Sequence, residues 1–204
     1  MLLFCVRHGE SEANVRRVFP DESNPPALTQ KGVEQIKEIA NELQKLEVQV
    51  VYCSPALRTK LSAQLITQTV NAPLFIDERL KEVDLGRLAG KSHAEVRTLD
   101  PYWYEEYFNK ENKYGIEKFA SIMKRAHSLV EEVHKKGYEK VVFVTHLEII
   151  RALVAVSLNQ EAPWIRRIRI NTGSITIFEK KENELRLKAL NWLPLREYLD
   201  YSRS

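Results

Sequence analysis

The chain has 204 residues, 44% of them apolar and 29% charged, with 31 basic against 28 acidic side chains and a net charge of +3. That length supports one well-buried core with a small insertion rather than two domains, and the interspersed charges exclude the basic run of a nucleic-acid binder. No apolar stretch spans a bilayer, since Arg151 interrupts the best candidate, and the apolar start is too short for a secretory signal, so a cytoplasmic protein is expected.

Leu2 to Val6 is a continuous apolar run, the pattern of a strand buried on both faces, and Arg7-His8-Gly9-Glu10 follows it at once. A polar loop from Gly9 to Pro26 leads to Thr29 as a helix N-cap. Val33, Ile36, Ala40, Leu43 and Leu46 then recur at helical spacing and predict an amphipathic helix over 30–46. A second strand is expected over 48–53. Ser54 as N-cap, with Pro55 at the first helical position, predicts a helix reaching about Thr69. Residues 73–77 read as a short third strand. Cys5 and Cys53 fall in buried strands and, lacking spaced partners, read as core thiols rather than a disulfide or metal site.

Residues 78–120 differ in character. Leu80 to Gly90 is a loop with two glycines, and Tyr102, Trp103, Tyr104, Tyr107, Phe108, Tyr114 and Phe119 crowd the polar stretch beyond it. They read equally as a satellite helix pair packed on the sheet or as a lid, residues about 91–116, whose aromatic faces meet the organic part of a substrate. Both readings can hold together. A helix over 117–135, a fourth strand over 140–145 and a nearly all-apolar helix over 147–158 follow. From Arg167 the period changes to two, and 167–170, 175–178 and 185–188 predict antiparallel strands joined at Gly173 and at Lys181 to Glu184. The expected fold is α/β, a three-layer α/β/α sandwich with a mostly parallel central sheet, antiparallel C-terminal strands and a small helical lid insertion, forming a single domain over 1–204.

Three of the apolar runs end in polar residues of one kind. The first delivers Arg7 and His8, the second Arg58 one turn after Ser54-Pro55, and the fourth Thr145 and His146. If these strands are parallel neighbours, their carboxyl ends share the rim where open α/β sheets bind ligands. Two guanidiniums and two imidazoles then converge on a site suited to a dianion such as phosphate. A neutral imidazole is a competent nucleophile toward phosphorus when one ring nitrogen is held as a donor and the other lone pair faces the substrate. A carbonyl of the 9–14 loop is placed to hold His8 that way. Arg7, Arg58 and His146 meet the charge-neutralising demand of phosphoryl transfer without a metal. Glu82, in the loop after the third strand, is the first choice for the acid that protonates the leaving oxygen, with Asp84 and Glu10 in reserve.

Arg7-His8-Gly9-Glu10-Ser11-Glu12-Ala13-Asn14 closely resembles the signature of the histidine phosphatase superfamily, the phosphoglycerate mutase-like group. Leu28-Thr29-Gln30-Lys31-Gly32, Ser54-Pro55-Ala56-Leu57-Arg58-Thr59, the loop Leu80 to Gly90 and Val144-Thr145-His146 resemble its further motifs, in family order. The resemblance implies a phosphohistidine at His8, a phosphate pocket of Arg7, Arg58 and His146, contacts from Ser11 and Asn14, and Glu82 as proton donor. Leu147-Glu148 stands where the family usually has Gly-Gly. The Leu147 backbone N–H keeps its use in phosphate binding, while Glu148 brings negative charge that disfavours very anionic substrates. Leu88-Ala89 replaces a frequent Trp-Glu and alters the expected mouth of the pocket.

These residues lead to a metal-independent phosphatase, without cofactor, acting on small phosphomonoesters. A phosphomutase is the alternative, and a non-enzymatic phosphate sensor the third. The expected partner is a small phosphorylated substrate, with no nucleic acid and no membrane. The natural substrate and the oligomeric state, a homodimer among the options, are left open.

Overall fold

A computed structural model describes residues 1–21, 23–108, 111–160 and 163–194. The expected extent 1–204 therefore runs past the described residues. Strands β1 (Leu2–Arg7), β2 (Val50–Cys53), β3 (Leu74–Ile76), β4 (Lys140–Thr145), β5 (Ile175–Lys181) and β6 (Glu184–Trp192) form one sheet in the order β3-β2-β4-β1-β5-β6. β1, β2, β3 and β4 pair in parallel, while β5 and β6 pair antiparallel.

Alternation along the strands sorts the core into two layers. Phe4 and Val6 of β1, with Val51, Cys53, Val142 and Val144, face helices α2 (Gln30–Gln44) and α3 (Leu57–Val70), which follow the short α1 (Glu12–Arg16). Leu3 and Cys5, with Val50, Tyr52, Val141 and Phe143, face the opposite layer. There, beyond α4 (His93–Leu99), lie α5 (Phe119–Lys135) and α6 (Leu147–Ser157). Removing an Ile, Leu or Phe side chain from water contributes about 1.5–3 kcal/mol, so strands buried on both faces hold the centre firmly. The architecture is the expected α/β/α sandwich. Cys5 and Cys53 are buried free thiols.

Two expectations are corrected. Residues 167–170 form no strand. A 3-10 turn over Pro163–Arg167 leads into irregular chain whose carbonyls are taken by side chains. Ile168 O accepts from Arg151, and Ile170 O accepts from Arg7 NH1 at 2.6 Å. With those carbonyls occupied, the period-two pattern has no ladder to join. Secondly, α3 begins after Ala56 rather than after Ser54. Ala56 is its N-cap, with φ −62° and ψ 144°, and the Thr59 hydroxyl donates to the carbonyls of Ser54 and Ala56.

The loop after β1 is fixed by close backbone contact. A Cβ on Gly9 would lie 2.3 Å from Gly32 O, and one on Gly32 would lie 2.0 Å from Glu10 O. The carbonyl of Glu10 also accepts from Thr29 N at 2.9 Å. The start of α2 and the residues after His8 are thus wedged together at two positions that admit no side chain.

No helix among the described residues is long and apolar enough to cross a membrane.

Candidate active site

β1 and β4 are neighbours whose following helices leave to opposite faces of the sheet, which makes the rim between them the switch point where α/β sheets open a crevice. His8 and His146 stand there, one at the end of each strand, with ring centroids 5.3 Å apart. His8 N donates to Thr145 O at 3.0 Å, so the parallel ladder itself sets this spacing. β2, on the far side of β4, supplies Ser54 and, through α3, Arg58.

Burial and hydrogen bonding fix the state of each imidazole. His8 Nδ1 lies 2.8 Å from Gly9 O. A carbonyl can only accept, so Nδ1 carries the proton and the Nε2 lone pair is left for a ligand. Burial first, then the charges of Arg58 and Arg7, hold the His8 pKa well below its ordinary value. The ring is neutral. His146 is neutral for the same reasons, burial first and Arg58 second. Its Nδ1 faces Arg58 NH2 at 3.2 Å and its Nε2 faces Ser54 Oγ at 2.8 Å. Arg58 donates, so Nδ1 accepts, and the proton sits on Nε2.

The rim opens into a cavity of about 430 Å³. Arg7, His8, Ser11, Asn14, Arg58, Glu82 and Leu147 all line it. His146 does not. It is fully buried one layer behind Arg58, so the expected direct donor to a phosphoryl oxygen here meets the cavity through that guanidinium. Ser11 donates its hydroxyl to Asn14 Oδ1 at 2.9 Å, and its backbone N–H donates to the same oxygen. This turns the Asn14 amide so that its Nδ2 group is the one it can offer an anion.

Glu82 is held at the cavity by α5 and α6. Arg125 of α5 donates to the carbonyls of Arg79, Lys81 and Glu82, and pairs with Glu117 at 2.7 Å. Glu82 Oε1 accepts from Val83 N at 3.0 Å and from Glu148 N at 3.2 Å. Burial first, then the negative charge of Glu148, raises its pKa above the ordinary carboxylate value. The reserves are committed elsewhere. Asp84 Oδ1 accepts from Gly86 N, and Glu10 accepts from the Thr29 hydroxyl; neither lines the cavity.

The aromatic stretch serves both readings. Tyr107, Tyr114 and Phe119 are buried in the core, while Trp103, Tyr104 and Tyr107 also form a wall of the cavity. Leu88 is fully buried, whereas Ala89 lines an adjoining cavity that shares Pro20, Arg58, Glu82, Val83 and Leu85 with the first. Sequence reasoning missed Ser54 as the partner of His146 and Arg166 in the cavity wall. The Ser54-Pro55 pair was visible but also fits a helix cap, and Arg166 carries no signal beyond its charge.

Arg58 is 1% exposed and faces both the cavity and His146. Arg58→Ala is expected to lower kcat/KM for phosphate release by at least about 10²-fold, the scale of losing one preorganised donor to a developing oxyanion. Steady-state kinetics on folded variant would check this, and a loss under about threefold places Arg58 outside the reaction.

The family model described as histidine phosphatase superfamily (branch 1) matches residues 3–193. A 2,3-bisphosphoglycerate-dependent phosphoglycerate mutase of Thermoplasma acidophilum is 30% identical over 179 residues, 87% of this chain and 86% of the relative. Phosphoserine phosphatase 1 of Hydrogenobacter thermophilus is 30% identical over 194 residues, 93% of this chain and 91% of the relative. The solved structure of a mycobacterial glucosyl-3-phosphoglycerate phosphatase superposes with a TM-score of 0.83 at 22% identity, covering 93% of this chain and 98% of that one.

Proposed function

Since the chain belongs to the histidine phosphatase superfamily and is therefore an enzyme, we propose that it is a metal-independent phosphatase that hydrolyses small phosphomonoesters through a phosphohistidine at His8. Enzyme membership removes the sensor reading. The observation that carries the proposal is the His8 ring, buried and neutral, with Nδ1–H tied to Gly9 O and Nε2 left as the nucleophile.

A phosphomonoester enters with its dianion between Arg7 and Arg58, and the Asn14 amide and the Leu147 backbone N–H complete the cradle. His146 accepts from Arg58 through Nδ1 and so steers the guanidinium toward the dianion. His8 Nε2 attacks phosphorus in line with the ester oxygen. The P–O bond breaks as Glu82 delivers its proton to the leaving alcohol, and the Nε2–P bond forms. Glu82, now a carboxylate, takes a proton from the water that attacks the phosphohistidine. Inorganic phosphate leaves, and both residues are restored. Trp103, Tyr104 and Tyr107 act as the wall against which the alcohol packs.

A phosphomutase is the second reading, favoured by the mutase relative. Hydrolysis is preferred because the Glu82 carboxyl lines the cavity, where it can serve as base to a water attacking the phosphohistidine. No cluster of three or more His, Cys, Asp or Glu that could hold a metal occurs among the described residues, and the guanidiniums supply the neutralising charge. Wild-type enzyme in EDTA is expected to release inorganic phosphate steadily from a monophosphate with no bisphosphate primer. Trace release with isomerisation of primed phosphoglycerate would establish the mutase instead, and a rate restored only by Mg²⁺ or Zn²⁺ would overturn the metal-free reading.

A further inference from the structure

His8 Nδ1 is held by the carbonyl of Gly9, and the other end of that same peptide unit is held as well. Its N–H, which is that of Glu10, donates to Gln35 Oε1 at 2.9 Å. Gln35 belongs to α2 and is 3% exposed. A backbone N–H can only donate, so the side-chain atom facing it is the amide oxygen. The phosphate chemistry makes no direct use of this residue, since Gln35 does not line the cavity.

The surroundings fix the amide in that place. A Cβ on Gly173 would lie 2.7 Å from Gln35 Cβ and 3.4 Å from its Cγ and Cδ, so the Gly173 backbone lies directly against the side chain. Gly173 N in turn donates to the carbonyls of Arg7 and His8 at 3.0 and 3.1 Å. Gly32 stands one helical turn before Gln35, and a Cβ there would lie 2.7 Å from Glu10 N. Its missing side chain lets α2 come close enough for the amide to reach that N–H. Ser62 holds the loop differently. Its Oγ accepts from Gly9 N at 3.2 Å and donates to Arg58 O, but Gly9 N belongs to the preceding peptide, not to the unit that carries the Gly9 carbonyl.

We infer that Gln35 is a positioning residue for His8, acting through the Gly9–Glu10 peptide to set the ring tautomer and the direction of the Nε2 lone pair. The inference rests on the reading of His8 as the nucleophile. The Gly9–Glu10 peptide is trans, so its N–H and C=O point to opposite sides of one rigid plane. A continuous chain of hydrogen bonds therefore runs from Gln35 Oε1 through that plane to Nδ1–H. Each bond in such a chain polarises the next. Acceptance by Gln35 makes Gly9 O a stronger acceptor, which holds the proton on Nδ1 and leaves more electron density at Nε2. Without the Gln35 oxygen the Glu10 N–H loses its acceptor, and the peptide is free to turn and take Gly9 O away from Nδ1. Either ring nitrogen then carries the proton, and with the proton on Nε2 the attacking lone pair is gone.

Gln35→Met removes the oxygen at nearly constant length, and Gln35→Glu keeps an oxygen in its place. First-turnover release of p-nitrophenol from p-nitrophenyl phosphate and NMR spectra of labelled histidine rings read the two consequences separately. In Gln35→Met the first turnover is expected to slow by about 10–100-fold, the usual loss when a group that orients a histidine is removed. The half-saturating ester concentration should stay within about threefold, because the residues that bind phosphate are unchanged. The His8 ring of this variant should show averaged tautomers, whereas wild type shows Nδ1–H alone. Gln35→Glu should keep the wild-type tautomer and a first turnover within about threefold of wild type. A folded Gln35→Met with the wild-type rate and tautomer overturns the inference, and so does a Gln35→Glu as slow as Gln35→Met. If Gln35→Met fails to fold, the scalar coupling across the hydrogen bond between Glu10 N and Gln35 Cδ, measured on wild type, decides instead, and its absence overturns the inference. No p-nitrophenol from wild type overturns the phosphatase reading itself, and the tautomer comparison, which needs no substrate, still tests Gln35.

Discussion

His8→Ala is expected to abolish turnover, with kcat falling by at least about 10⁴-fold, the scale of removing a nucleophile whose partners cannot act alone. The geometry leaves no substitute at that position. His146 is buried behind Arg58 and has its Nε2 against Ser54 Oγ, so it cannot attack in place of His8. Ser11, the nearest hydroxyl along the loop, gives its proton to Asn14 Oδ1 with no base to accept it on attack. Because Nδ1 is held by Gly9 O, the phosphoryl group should be found on Nε2. Mixing enzyme with labelled ester and quenching in alkali should trap a base-stable, acid-labile adduct on wild type and none on the variant. An adduct mapped to another residue, or turnover within about 10²-fold of wild type, would remove His8 from its role.

Glu82→Gln should separate leaving groups. The amide keeps the shape and still accepts from Val83 N and Glu148 N, but it neither gives nor takes a proton at neutral pH. With an alkyl phosphate, phosphoenzyme formation is expected to slow by roughly 10²–10⁴-fold, the usual worth of a positioned acid. With p-nitrophenyl phosphate, whose leaving group needs no proton, formation should be largely spared and phosphoenzyme should accumulate, because the attacking water has lost its base. The pH profile carries the same information. Burial and Glu148 raise the Glu82 pKa, so its acid form persists to higher pH than an ordinary carboxyl, while burial keeps His8 neutral to lower pH than an ordinary histidine. The useful window is wide on both sides, and the descending alkaline limb seen with an alkyl ester should vanish in the variant. Stopped-flow bursts and steady-state rates from pH 4 to 9 would test this. Equal slowing of both esters would assign Glu82 to something other than proton transfer.

Much of this was legible in the chain itself because buried parallel strands write themselves as unbroken apolar runs, and each such run here ends in the residue that the rim presents. Leu2–Val6 and Val141–Val144 therefore located His8 and His146 without any contact information. The period-two stretch at Arg167–Ile170 misled for an equally physical reason. Alternation reports which side chains are buried, and cannot report that Arg151 and Arg7, from distant positions, take the carbonyls a neighbouring strand would need. Ser54 was ambiguous in the same way, since a serine before proline fits a cap, and only the packing of β2 beside β4 turns it toward His146. Glu148 could be read as charge near the pocket. That its Oε2 lacks a hydrogen-bond partner among the described residues is a property of the folded arrangement alone.

The pairing of β1 carries a kinetic consequence. In the finished sheet Leu2 stands opposite Lys140 on one side and Glu179 on the other, so this central strand has no neighbour close to it in sequence. Chain segments so far apart must meet before the first ladder bond forms, and such long-range closure is slow compared with helix formation. Until then Leu3, Phe4, Cys5 and Val6 have neither partners nor cover, a segment prone to mispairing with other chains. The local unit formed by β2, α3 and β3 can assemble early, and it brings Arg58 with it. Docking of β1 against β4 sets the two histidines side by side in one event, so that competence for chemistry depends on a long-range pairing.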